Sequence, residues 1–191
     1  MLDKKVSALL CMLIVACSPM VYTHGVPNLV QVDTNLWRSG QITTQAGWDY
    51  IATLAHGQPV HVIKLNFPNE GSDEPAVKMG FNVIEVPLQP EGDTDVLDDV
   101  SGLFEKPDAS LVAGVEWLLS HRAPGEFWLV HCTHGQDRTG FIIGAYRVLT
   151  DRWPKRQAYA EMLAHHFHRE IVGLVEAWIA VPAPSAGDLH P

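Results

Sequence analysis

The sequence predicts an α/β fold, a three-layer sandwich with a central, largely parallel sheet flanked by helices. Two observations carry that expectation. Short apolar or β-branched runs at residues 60–65, 81–88 and 127–130 alternate with segments whose apolar residues recur at helical spacing. Strands joined by crossover helices produce this alternation. The chain has 191 residues, 47% of them hydrophobic and 18% charged, enough to bury a core as one domain. No internal repeat or second domain is evident.

The elements follow in order. Trp48, Ile51, Ala52 and Leu54 or Ala55 suggest a helix with Thr43 or Thr44 as N-cap and Gly57 as its stop. VHVIKL (60–65) suits a buried strand. Residues 72–80 read as a short helix, with Ser72 at its start, acids in the first turn and Gly80 at its end. FNVIEVPL (81–88) is the next strand, followed by an acidic loop over 89–99. Leu111, Val112, Val115, Leu118 and Leu119 mark a helix over about 108–120. FWLV (127–130) is a third strand, and residues 141–149 continue as helix. Trp153 and Pro154 open another helix with Ala158, Met162 and Leu163 on one face. Ile171, Leu174, Val175, Trp178 and Ile179 define the last. Trp117, Trp153 and Trp178 are expected to face the core.

Residues 1–16 are set apart from this fold. Lys4 and Lys5 precede an apolar run over 6–16 that is short for a membrane span, which reads as an export signal. IVAC (14–17) resembles the bacterial lipobox, so Cys17 is a candidate lipid-anchored first residue. The expected product is an exported protein, periplasmic or held on a membrane as a lipoprotein. A polar, irregular leader is expected over 17–35, the domain over 36–180 and a flexible tail over 181–191. Removing residues 1–16 leaves 11 basic and 21 acidic residues, a net charge of −10. Such a surface repels polyanions, which argues against nucleic acid as a partner. Cys11 leaves with the signal and Cys17 leaves or carries lipid, so Cys132 remains without a disulfide partner.

The segment HCTHGQDRTG (131–140) gives that thiol a use. It lies where an apolar strand meets a helix, with Gly135 in the turn. Backbone N–H groups of such a loop, together with a helix N-terminus, form an anion cradle. Arg138 adds a planar fork able to grip two phosphate oxygens. Cations and a helix N-terminus favour the thiolate, so Cys132 is expected to be a nucleophile at the floor of the cradle.

This Cys-x5-Arg-Thr loop resembles that of the cysteine-dependent phosphatases of the protein tyrosine and dual-specificity superfamily. The likeness is close over His131–Gly140 and looser from WRSGQ (37–41) to residue 162, in the manner of small bacterial dual-specificity-type members. It implies a metal-independent phosphomonoesterase that works through phosphocysteine and takes a phosphorylated protein or small molecule. No cofactor or metal is implied, and a monomer is expected. Cys132 would attack phosphorus. Arg138 and the loop N–H groups of Thr133, His134, Gly135, Gln136 and Asp137 would hold the equatorial oxygens. Thr139 would donate its hydroxyl to the departing thiolate, and His131 would brace the loop through backbone hydrogen bonds. His134, Gln136 and Asp137 would line the rim.

The resemblance also implies an aspartic acid on the loop after the preceding strand, protonating the leaving oxygen. That loop offers Asp93, Asp95, Asp98 and Asp99. Asp93 is nearest the strand end and is the expected acid, with Asp95 second. Alternatives are an inositol phosphate (phytase-like) phosphatase and a non-catalytic phosphate-binding module. Rhodanese-like sulfur transfer accounts less well for Thr139 and Gly140. An RNA 5′-triphosphatase shares the HCTHG portion but fits an acidic exported chain poorly. His165, His166 and His168 have no carboxylate or second cysteine to complete a metal site. Arg38 is expected to brace a neighbouring loop.

Overall fold

The computed structural model describes residues 20–88 and 106–183. Its main sheet has five strands in the order β3-β4-β7-β5-β6. These are β3 (Val30–Gln31), β4 (Leu36–Ser39), β5 (Val60–Lys64), β6 (Asn82–Glu85) and β7 (Phe127–His131). Only β3 runs antiparallel to its neighbour. The tight return before β4 follows from Asp33, whose Oδ1 accepts from the N–H groups of Asn35 at 3.0 Å and Leu36 at 2.9 Å. The α/β sandwich read from the sequence is therefore present.

Two helices cover one face, α1 (Gln45–Ala55) and the short α2 (Glu74–Lys78). The other face is covered by α3 (Ala109–Ser120), α4 (Asp137–Leu149), α5 (Lys155–Ala164) and α6 (Val172–Ala180). Strand alternation sorts the two cores. Phe127 and Leu129 of β7 pack with Trp48, Ile51 and Val62, whereas Trp128 and Val130 pack with Ile63, Phe141 and Ile142. All five residues of β7 are buried, as expected for the middle strand of a sheet covered on both faces.

Local chemistry sets the helix ends. Thr44 caps α1 by accepting from the Gly47 N–H, and Asp108 caps α3 through the Ser110 N–H. At α1 the left-handed C-cap is His56, with Gly57 behind it, so the helix stops one residue before the expected glycine.

Several expectations are corrected. The leader is not irregular throughout: Tyr22–Thr23 (β1) and Val26–Pro27 (β2) form a hairpin, and β3 joins the main sheet. These strands are two residues long, too short to show a period. Strand β6 is shorter than the apolar run 81–88. Trp117 is 60% exposed because Val115 and Leu119, four residues apart, take the inward face of α3. It stacks instead on His121, with ring centroids 4.5 Å apart. Ile179 is 69% exposed for the same reason, since Leu174 and Trp178 face the core from α6. Among the described residues, no helix is long and apolar enough to cross a membrane.

Candidate active site

The carboxyl ends of β4, β7 and β5 lie side by side, and Cys132 follows directly after β7. Crevices outside the strand ends are the usual ligand sites of open α/β sheets. The next residues form a loop that enters α4 at Asp137, so Arg138 sits in the first helical turn as expected. Cys132 is 2% exposed and is a free thiol.

The loop's shape is fixed from outside. The Thr133 carbonyl accepts from the Gln41 N–H at 2.9 Å. The His134 carbonyl accepts from the Asn28 side-chain amide at 2.8 Å, and the Gly135 carbonyl from Arg38 Nη2 at 2.7 Å. Three successive carbonyls are thus held by residues from Asn28, just after β2, to Gln41, just after β4. With the carbonyls engaged there, the intervening N–H groups are left for an anion. Gly135 has φ +73°, and a Cβ at this position would lie 2.4 Å from the Ser39 carbonyl carbon. Only glycine allows the loop to pass so close to β4. Arg38 is fully buried. Burial lowers its pKa to about 10, while its electrostatic interactions with Cys132, Glu161 and Asp137 oppose that fall.

Arg138 meets a carboxylate that sequence reasoning missed. Glu70, at the end of a 3-10 turn over Pro68–Glu70, receives Nη1 on Oε2 at 2.8 Å and Nη2 on Oε1 at 2.6 Å. Glu70 Oε2 also accepts from the Phe67 N–H at 2.6 Å, and Oε1 from the Thr133 hydroxyl at 3.1 Å. Burial pushes this carboxyl up, but the hydrogen bonds and charge of Arg138, with Phe67 and Thr133, hold it below the usual carboxylate range. The same contact opposes desolvation of Arg138 and raises its pKa. Engaging one edge of the guanidinium fixes its plane.

His131 is braced by a side chain rather than by the expected backbone contacts. Its Nε2 lies 2.7 Å from Asp73 Oδ2, and both groups are buried. Asp73 also accepts from Gln41 Nε2 at 2.6 Å, and Gln41 Oε1 accepts from Asn66 Nδ2 at 3.0 Å. Burial opposes ionisation of Asp73, yet the His131 and Gln41 hydrogen bonds and nearby Lys64 keep its pKa below the ordinary value. This commitment explains why Asp73 does not cap α2; the Glu74 N–H is accepted by Ser72 Oγ at 3.2 Å.

The remaining expected residues divide. Thr139 is fully buried, and its hydroxyl has no hydrogen bond among the described residues, to Cys132 or any other. Gln136, expected on the rim, is 4% exposed instead, because it lies where the loop turns into α4. Asp137 is tied inward, accepting from the His168 N–H at 2.8 Å with its Oδ2 2.9 Å from His168 Nδ1. That contact takes its carboxylate away from the rim role expected of it. His134 is half-buried. Asp93, Asp95, Asp98 and Asp99 lie outside the described residues. Among those described, no group of three or more His, Cys, Asp or Glu side chains could hold a metal ion.

The signals for the missed residues were faint. Asn28, Gln41, Glu70 and Asp73 are single polar residues in turns, far from the loop in sequence. Only the parallel pairing that sets β4 and β5 beside β7 brings them to it.

No protein-family model matches the chain, and no curated protein matches it by sequence. Solved structures do. The core catalytic domain of the PP-IP phosphatase SIW14 from S. cerevisiae aligns with a TM-score of 0.59 at 18% identity, covering 81% of this chain and 85% of that one. TpbA from P. aeruginosa gives 0.56 at 21% identity, covering 83% and 86%. Tk-PTP in its active form gives 0.57 at 17% identity, covering 80% and 96%. The chain therefore shares the fold of these solved phosphatases.

Proposed function

We propose that the protein is a metal-independent phosphatase that hydrolyses phosphomonoesters through a phosphocysteine intermediate. The observation that supports this most is the loop at Cys132. Three successive carbonyls are held outward, and Arg138 is fixed in plane by Glu70 beside a buried thiol. In this reading the phosphoryl group sits on the loop N–H groups and on Arg138 Nε, with Nη2 exchanging its 3.0 Å hydrogen bond to the Thr133 hydroxyl for a phosphoryl oxygen. Cys132 Sγ, as thiolate, attacks phosphorus as the bond to the ester oxygen breaks. The leaving oxygen takes a proton from an aspartic acid, which the sequence assigns to Asp93. Water then attacks the phosphocysteine, giving its proton to that carboxylate while the S–P bond breaks. The hydroxyl of Thr139, without a partner among the described residues, is available to the departing thiolate.

The expected substrates are phosphoproteins of the tyrosine or dual-specificity kind. One solved relative, TpbA, was crystallised with pTyr. The second reading is an inositol phosphate substrate. SIW14 is described as a PP-IP phosphatase, and PTPMT1, with a TM-score of 0.55, was crystallised with PI(5)P. Export, with attachment through Cys17, belongs to the same proposal; Cys17→Ala should release the protein from membranes or block its processing.

A panel of phosphotyrosine, phosphoserine and inositol phosphate compounds, with wild type, Cys132→Ser and Asp93→Asn, tests the function. Cys132→Ser should abolish turnover on every substrate while retaining oxyanion binding. Asp93→Asn should slow esters with poor leaving groups by roughly 100- to 10,000-fold and activated aryl esters far less. Turnover by Cys132→Ser at the wild-type rate overturns the proposal.

A further inference from the structure

Apart from the phosphate cradle, α3, α4 and α6 border a cavity of about 760 Å³, lined mainly by apolar side chains such as Val112, Phe141, Ala145 and Leu149. Two carboxyl groups interrupt that lining, Glu176, which pairs with Lys106, and Glu116. Glu116 on α3 is 7% exposed, and both of its oxygens are buried without a hydrogen-bond partner among the described residues. A buried carboxyl with nothing to bond is unfavourable in either protonation state. No step of the proposed hydrolysis uses it.

The surroundings select the sign of a partner. Burial, and then the charge of Asp151, push the Glu116 carboxyl up to about 8. Asp151 is itself engaged by Arg147 Nη1 at 2.8 Å, and at the border Lys106 pairs with Glu176 at 2.7 Å. Arg152 borders the cavity but remains exposed. Both carboxyl oxygens lack a donor, and a cationic donor would favour the ionised form that burial and Asp151 disfavour. The volume falls within the roughly 300–1,000 Å³ usual for small-molecule sites.

We propose that this cavity is a second binding site, taking an organic amine whose ammonium docks on the Glu116 carboxyl once that group turns into the cavity, and whose apolar body lies along the half-buried Val112, Leu149 and Ala177. An ammonium brings three N–H donors, enough for both carboxyl oxygens. An alcohol brings one donor, and a carboxylate meets like charge. The site is independent of the phosphatase reading, because none of these residues belongs to the loop at Cys132.

The test titrates the full chain with phenylbutylamine, phenylbutanol and phenylbutyrate, which share one apolar body, by calorimetry and amide NMR. The amine should bind about tenfold more tightly than either companion, the worth of one charge-assisted contact. Shifted resonances should map to α3, α4 and α6. Glu116→Gln should erase the preference for the amine. Ala177→Trp, which adds bulk from α6 at a half-buried lining position, should abolish binding, with unchanged thermal melting reporting intact folding. The proposal is overturned if the three compounds bind equally, if none binds, or if Glu116→Gln keeps the preference for the amine.

Discussion

Replacing Glu70 with Gln tests how far the Arg138 geometry depends on a residue outside the loop. In the native site both terminal guanidinium nitrogens donate to Glu70, at 2.8 and 2.6 Å. Gln has nearly the same shape but presents one oxygen and one NH2 group. In either orientation the NH2 faces a guanidinium N–H, and in one of them the Phe67 N–H as well, and these groups are themselves donors. At least one hydrogen bond is lost, and the survivors lose their anionic acceptor. A hydrogen bond to a charged group contributes about 1.5–3 kcal/mol. If that orientation energy is expressed at the transition state, kcat/KM falls roughly 10- to 150-fold. The assay is aryl phosphate hydrolysis, with tungstate inhibition and thermal melting as companions. Tungstate affinity should fall alongside the rate, because the same fork serves both. A Glu70→Gln protein within twofold of wild type in rate and tungstate affinity would refute the idea that this contact positions Arg138.

Other outcomes follow from the same structure. Gly135→Ala forces a side chain into a left-handed position already filled by β4 backbone, so oxyanion binding should weaken at least about tenfold and the melting temperature should fall. Glu70 and Asp73 have depressed pKa values, so the stability they supply is present above the ordinary carboxylate range and is lost as pH falls through their folded values. Urea unfolding should accordingly show stability dropping on the acid side, and Asp73→Asn should flatten that drop. Glu116 has the opposite sign, because its folded pKa is raised to about 8. Its folded form holds the proton more tightly, so wild type should lose stability relative to Glu116→Gln as pH rises from about 5 to 8. Parallel stability curves for the two proteins over that range would contradict this.

The fold and the chemical centre of the site were legible in the sequence for separate reasons. Apolar periodicity reports burial, so β5, β7, α3 and α4 were visible as runs. The Cys132–Arg138 loop is contiguous, so its spacing carries its geometry. The supports of that loop were not legible because they act across the sheet. Glu70 reaches Arg138 from the turn after β5, Asp73 reaches His131 from the start of α2, and Asn28 reaches the His134 carbonyl from beside a two-residue strand. Nothing in a lone acid or amide reveals its partner 58 to 106 residues away. Trp117 and Ile179 show the complementary error. Trp117 lies two residues from Val115 and Leu119 and Ile179 one residue from Trp178, and a helix that turns about 100° per residue carries both outward.

The central claim is covalent, and a covalent measurement tests it most directly. Wild-type protein mixed with an aryl phosphate and quenched in acid during turnover should carry a phosphoryl group on the peptide containing Cys132, detected by mass spectrometry. Thr139→Ala should increase that population by slowing departure of the thiolate, and Cys132→Ser should carry no thiophosphate. Turnover with no phosphoryl group on Cys132 at any quench time, and with activity retained in Cys132→Ser, would contradict the account.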